Sequence, residues 1–256
     1  MRVLTLDIET ITPDWKPPPP DPVLVMNGIE RPPPFPPPPF HLPCVIAWML
    51  CEVEPLSFVA KMIIRDIGGQ PLANRLRAES QILIELAEDM ASADRLVTYN
   101  GRGFDMPVLA HRATVCGVDW RHWYRPPHQR TAESRARFPH WKDRDPFPWH
   151  FDILDQQGDY GASRGWKLSD VAQSYGLPGK VGCDGSDVGN LWDNGLVKTI
   201  RRYCANDVFM TWAVFVKKWA AMADPQFAVH WQRSIDWAKA DKTIGEIYRT
   251  WYAEAA

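Results

Sequence analysis

The segment Arg2-Val3-Leu4-Thr5-Leu6-Asp7-Ile8-Glu9 alternates in a way that governs how the rest of the chain is read. A β-strand sends successive side chains to opposite faces, so Val3, Thr5, Asp7 and Glu9 share one face while Leu4, Leu6 and Ile8 share the other. Two carboxylates held close on one face repel, and one is driven to bind a proton unless a divalent cation sits between them. Taken alone, the pair reads equally well as a solvated strand end. Strand pattern resumes at Cys44-Val45-Ile46-Ala47-Trp48-Met49-Leu50 and again around Leu56 to Ile64, which with the first strand makes a three-stranded meander.

Between the first two strands the chain cannot stay in a sheet. Fourteen of the 24 prolines fall between Pro13 and Pro43, and each removes a ladder donor and fixes its φ. Polyproline II or irregular loop is expected over residues 13–43, an oversized hairpin loop. It serves either as a tolerated surface insertion or as a lid or docking arm beside Asp7 and Glu9, able to recruit a polymerase or repair protein.

Downstream of the meander, Leu76, Ile82, Leu83, Leu86, Ala87 and Met90 fit an amphipathic helix over 72–92, and Arg95 to Tyr99 fit a short strand. Helix then strand implies a crossover onto the sheet. The strand runs into Tyr99-Asn100-Gly101-Arg102-Gly103-Phe104-Asp105-Met106-Pro107, where the glycines permit a tight turn. Asp105 is placed to cap a helix with Pro107 in its first turn, and standing alone it would be a plain N-cap. Residues 111–150 carry eight Arg or Lys against four acids, with four tryptophans, and read as a basic, aromatic insertion. Its arginines, Arg121 and Arg125 among them, alternate with Trp120, Trp123 and Tyr124. That pattern suits a single strand of nucleic acid, whereas a small satellite core under solvated arginines is the competing reading.

Phe151 to Leu154 read as a strand and Lys167 to Tyr175 as a short helix closed by Gly176; residues 176–195, with six glycines, read as loop. Leu196, Ile200, Tyr203, Asp207, Met210 and Val214 then fall on one helical stripe, which puts the Asp207 carboxylate on a buried face. Burying an ionised Asp is costly unless a cation or several donors compensate it, and a bound metal is one answer. Residues 225–256 form a helical extension with a packing role, its register broken between Ala238 and Ile244.

A chain of 256 residues with 45% hydrophobic side chains supports a packed core, and residues 1–256 are read as a single domain with its core in 1–12 and 43–220. A net charge of −2 predicts no global attraction to nucleic acid or to anionic membrane, so a polyanion is held by a local patch or not at all. Five scattered cysteines without a Cys-x-x-Cys pair argue against a disulfide framework and a structural zinc site, and point to a reducing, cytoplasmic setting. Neither a signal peptide nor a membrane span is expected. A meander followed by alternating helices and strands can bring Asp7, Glu9, Asp105 and Asp207 to one edge of a mixed sheet. Such an oxygen-rich cluster selects Mg²⁺ or Mn²⁺, and two such ions suit in-line phosphoryl displacement.

Leu-Asp-Ile-Glu-Thr at 6–10, Tyr-Asn-Gly-Arg-Gly-Phe-Asp-Met-Pro at 99–107 and Tyr-Cys-Ala-Asn-Asp at 203–207 resemble, in order, the three motifs of DEDD-type 3′–5′ exonucleases. The second and third are most similar to the proofreading domain of family-B DNA polymerases, and the whole chain is similar to stand-alone proteins related to it. The spacing of Tyr203 and Asp207 marks the tyrosine subtype, DEDDy. The resemblance implies an α/β fold of ribonuclease-H-like type, a mixed five-stranded sheet flanked by helices. It implies that Asp7, Glu9, Asp105 and Asp207 bind two Mg²⁺ or Mn²⁺ ions and that Tyr203 orients or helps deprotonate the attacking water. Thr10, Asn100 and Phe104 would face the terminal nucleotide, with Asp152 in a supporting role. The expected activity is release of nucleoside 5′-monophosphates from DNA 3′ ends, and RNA trimming or an idle nucleic-acid-binding module of a replication or repair complex are the alternatives.

Overall fold

The computed structural model describes residues 1–19, 34–68, 72–120, 149–159, 161–163, 165–179, 182 and 184–254. The middle of the proline-rich segment, and Arg121, Arg125, Trp123 and Tyr124, lie outside the described residues. Five strands form one sheet: β1 (Arg2–Ile11), β2 (Leu42–Glu54), β3 (Ser57–Asp66), β4 (Arg95–Thr98) and β5 (His150–Asp152), in the order β3-β2-β1-β4-β5. The expected meander forms, with β1, β2 and β3 mutually antiparallel, while β4 runs parallel to β1 and β5 parallel to β4.

Alternation along β1 sorts its side chains as their polarity dictates. Leu4, Leu6 and Ile8 enter one apolar cluster with Leu83 and Leu86 of α1 (Leu72–Ser92) and Leu109 of α2 (Asp105–Cys116). Val3 points to the opposite face, where α6 (Val197–Met222) contributes Val208, Phe209 and Trp212 to the other cluster. Such a mixed five-stranded sheet covered by helices on both faces is the ribonuclease-H-like α/β arrangement expected. Pairing of β1 with β4 ends at Thr5, whereas pairing with β2 continues to Ile11. The last part of β1 therefore projects beyond β4 and opens a crevice at the sheet edge, where open α/β sheets place their sites.

Several local expectations differ from the fold. The strand at 151–154 stops at Asp152, because its carboxylate accepts a hydrogen bond from the Leu154 amide and caps a short helix, α3 (Ile153–Gln157). The basic insertion begins later than residue 111: α2 continues to Cys116 and is closed by Gly117 at φ 68°. After α4 (Leu168–Ser174), the glycine-rich stretch 176–195 is not all loop, since a 3-10 turn at Gly185–Asp187 leads into α5 (Val188–Asp193). The proline-rich segment also ends in a 3-10 turn, Pro38–Phe40.

Two stripe residues are exposed, Leu196 at the mouth of α6 and Leu76 on α1, while Glu79 of α1 is buried instead. Trp120, at the start of the insertion, and Trp149, at its end, join the apolar core. The C-terminal residues form α7 (His230–Ala240) and α8 (Gly245–Glu254), broken where expected: the Asp241 side chain accepts from the Thr243 and Ile244 amides and turns the chain. They pack as expected, Trp237 stacking on Phe209 and the Tyr248 hydroxyl donating to Asn206 Oδ1. Among the described residues no helix is long and apolar enough to cross a membrane.

Candidate active site

The projecting end of β1 carries Asp7 and Glu9, and α6 crosses beneath it with Tyr203, Cys204 and Asp207, all three buried. One ligand atom each from Asp7, Glu9 and Cys204 lies within 4.8 Å of the other two. The Cys204 thiol donates weakly to the Asp7 carbonyl oxygen at 3.4 Å and to its Oδ2 at 3.5 Å. Asp105 joins from the other side, and not as an N-cap: it is the first residue of α2, the cap position being Phe104, which makes no side-chain cap bond. Its Oδ1 accepts from the Ile8 amide at 3.1 Å. That amide lies past the last β1–β4 pair and would otherwise lack a strand partner on the open side.

The electrostatics follow from crowding. Burial, then the charges of Glu9, Asp105 and Asp207, hold the Asp7 carboxyl well above the usual carboxylate range, against the smaller pull of the Cys204 hydrogen bond. Burial likewise pushes Asp105 up to about 7, with Asp152 and Asp207 adding to it and its own amide and the Ile8 amide opposing. Three carboxylates raising a fourth is a site whose charge calls for a cation. Hard oxygen donors suit a divalent cation such as Mg²⁺ or Mn²⁺, and Asp7 and Glu9 are grouped closely enough that they could hold one, with Asp105 and Asp207 near enough to act on Asp7.

A raised folded-state pKa reverses the usual carboxylate dependence. Between an unfolded value of about 4 and the folded value of about 7, the folded metal-free protein binds more protons than the unfolded chain. Stability is therefore complete below that window and lost as pH rises through it. Without metal, the melting temperature should fall between about pH 5 and about pH 8, and Asp105→Asn should flatten the fall. Mn²⁺ at a hundredfold excess over its dissociation constant should restore about 2.7 kcal/mol. Melting curves at the two pH values with and without Mn²⁺ decide it; a rise with pH in the metal-free protein would count against this electrostatic account.

Asp152 holds the turn that delivers Asp105. Its two oxygens accept from the Asn100, Arg102 and Leu154 amides at 2.8–3.0 Å, and burial raises its carboxyl to about 6 even so. Asn100 adopts φ 64°, and a Cβ at Gly101 would sit 2.5 Å from Thr98 Cβ on β4, so glycine is what lets the turn pass that close to the strand end. Thr10 and Phe104 line a cleft of about 310 Å³ together with Glu9, Phe35, His41 and Gly189. The downstream end of the proline-rich segment thus lies against the site.

Two residues of this constellation escape a reading by motif, Cys204 and His41. Cys204 had a signal: three residues before Asp207, it shares that residue's side of the helix. His41 had none, since only the hairpin brings it to Thr10.

Residues 34–240 match the family model described as a predicted 3′–5′ exonuclease related to the exonuclease domain of PolB. Asp105, Tyr203 and Asp207 fall inside the match, and Asp7 and Glu9 precede it. No curated protein matches the chain.

Proposed function

The chain belongs to this family of predicted 3′–5′ exonucleases related to the exonuclease domain of PolB, and on that footing we propose that it is a DEDDy enzyme acting on DNA. It removes nucleoside 5′-monophosphates from single-stranded or frayed 3′ ends, using two Mg²⁺ or Mn²⁺ ions. The observation that carries this reading is the grouping about Asp7 of three further carboxylates, Glu9 from the same strand, Asp105 from α2 and Asp207 from α6, whose charges all raise its carboxyl.

Bound ions of this kind would supply Lewis-acid stabilisation of the charge that develops at the scissile phosphate. The protein's own part is positional. Asp7 and Glu9 are set by β1, Asp105 by the Asp152-held turn and the Ile8 amide, and Asp207 by the buried middle of α6. Tyr203, one helical turn before Asp207, orients or helps deprotonate the attacking water. Thr10, Asn100 and Phe104 face the terminal nucleotide, while Arg121 and Arg125 meet phosphates of the strand. The proline-rich segment is proposed to dock a polymerase or repair protein.

The test is a purified-protein assay on 3′- and 5′-labelled single- and double-stranded DNA and RNA, with and without Mn²⁺. Stepwise loss from DNA 3′ ends that requires the ion supports the proposal; preference for RNA would transfer it to RNA trimming, and inertness to all substrates would leave a binding module. Tyr203→Phe should keep the metal-induced rise in melting temperature and lose about 10²-fold in single-turnover rate. An unchanged rate would assign Tyr203 to packing.

A further inference from the structure

Cys204 stands on α6 against Asp7 and has no exposure to solvent, so it cannot touch substrate. Its sulfur meets both ends of that residue, lying 3.4 Å from the Asp7 carbonyl oxygen and 3.5 Å from Oδ2. A thiol has one proton to give. The ionised carboxylate that a cation requires is the stronger of the two acceptors, because hydrogen bonds to a charged group are roughly twice as strong as neutral ones. The last torsion of an aspartate is broad, and a carboxyl without a partner turns about it readily. A donor on Oδ2 that is fixed in a buried helix stops this rotation at a set angle to β1. Asp105 is held in the same way, by the Ile8 amide on its Oδ1.

Sulfur this close to two carboxylates could also bind the ion, since one ligand atom each from Asp7, Glu9 and Cys204 lies within 4.8 Å of the other two. Hard cations favour oxygen over sulfur, which leaves the thiol as a donor to the ligand. We propose that Cys204 is a positioning residue that fixes the Asp7 carboxylate for a divalent cation by donating its thiol proton to Oδ2, without ligating the cation itself. This rests on the metal site of the exonuclease reading above and adds to it the group that presets one of its oxygens. Removing a group that hydrogen-bonds a metal ligand typically costs about 10- to 100-fold in affinity, and a thiol, as a weak donor, belongs at the lower end. A second buried thiol supplies the control: Cys44 of β2 is equally unexposed, and its sulfur donates to the backbone carbonyl oxygen of Glu9 at 3.3 Å.

The experiment is a calorimetric titration of the metal-free full chain with Mn²⁺, which needs no substrate. Cys204→Ala should weaken binding about tenfold, and Cys204→Ser, whose hydroxyl restores a donor in nearly the same volume, should stay within about threefold of wild type. Cys44→Ala should leave the affinity as it is. If Cys204→Ala does not fold, Cys204→Val, which fills the space without a donor, takes its place and should bind about tenfold more weakly. A sulfur that merely packs predicts a serine variant as weak as the alanine one, an equal loss in Cys44→Ala, or no loss in any variant, and each of these results would overturn the proposal. So would Cd²⁺ binding far tighter than Mn²⁺ in wild type that drops to the Mn²⁺ level in Cys204→Ser, because the soft ion would then be reading the sulfur as a ligand. A wild type that takes up no Mn²⁺ would instead sink the metal site of the exonuclease reading, and this proposal with it.

Discussion

Asp7→Ala and Asp207→Ala are each expected to reduce nuclease activity by at least about 10²- to 10³-fold, the scale seen when one preorganised charge-stabilising group is lost, while the protein still folds. Glu9, Asp105 and Asp207 all act on Asp7, so its removal takes away the carboxylate about which the other three gather. The same removal relieves repulsion in the metal-free protein. Its melting temperature should therefore hold or rise, and its response to Mn²⁺ should weaken. Those opposite movements separate loss of a metal oxygen from loss of the fold, which would lower both. Activity within tenfold of wild type for either variant would refute the assignment.

Arg112→Ala should cost about 3–5 kcal/mol of stability, although it lies outside the site. The guanidinium of Arg112 on α2 makes two hydrogen bonds of 2.6 Å to Glu79 on α1, whose side chain is only 1% exposed. Removing the arginine strands a buried carboxylate, which is where the penalty for breaking a buried pair comes from. At roughly 2–4 °C per kcal/mol for a chain of this size, the melting temperature should drop by about 10 °C. A double replacement, Glu79→Leu with Arg112→Met, removes both charges together and should recover most of the loss. A single variant that melts within a few degrees of wild type would mean that Glu79 reaches water or another donor.

The two regions differ in how they could be read. On α1, periodicity placed Leu76 on the buried stripe and gave Glu79 no special place, yet Leu76 is exposed and Glu79 buried. Periodicity reports which face of a helix is apolar on average; it is silent about a second helix that brings a compensating arginine to that face. The acidic cluster was more legible because the cost of burying a carboxylate is paid at the residue itself. Asp207, four residues after Tyr203 on a buried stripe, requires compensation wherever its helix is placed, and Asp7 and Glu9 on alternate strand positions require it once their shared face is covered.

By itself, then, the sequence determined the local facts: the period-2 segregation along β1, the meander, the buried middle of α6 and the order in which the acids occur. The tertiary structure alone decided how those elements complete one another. Asp105 looked like an N-cap because capping is a local interaction, and it became a partner of the Ile8 amide because β4 stops pairing at Thr5 and leaves that donor facing α2. Cys204 gained its contact with Asp7 across 197 residues of chain, and His41 reached Thr10 only through the β1–β2 pairing. Such contacts depend on register and on where a neighbouring element ends, and neither is written in the residues that make them.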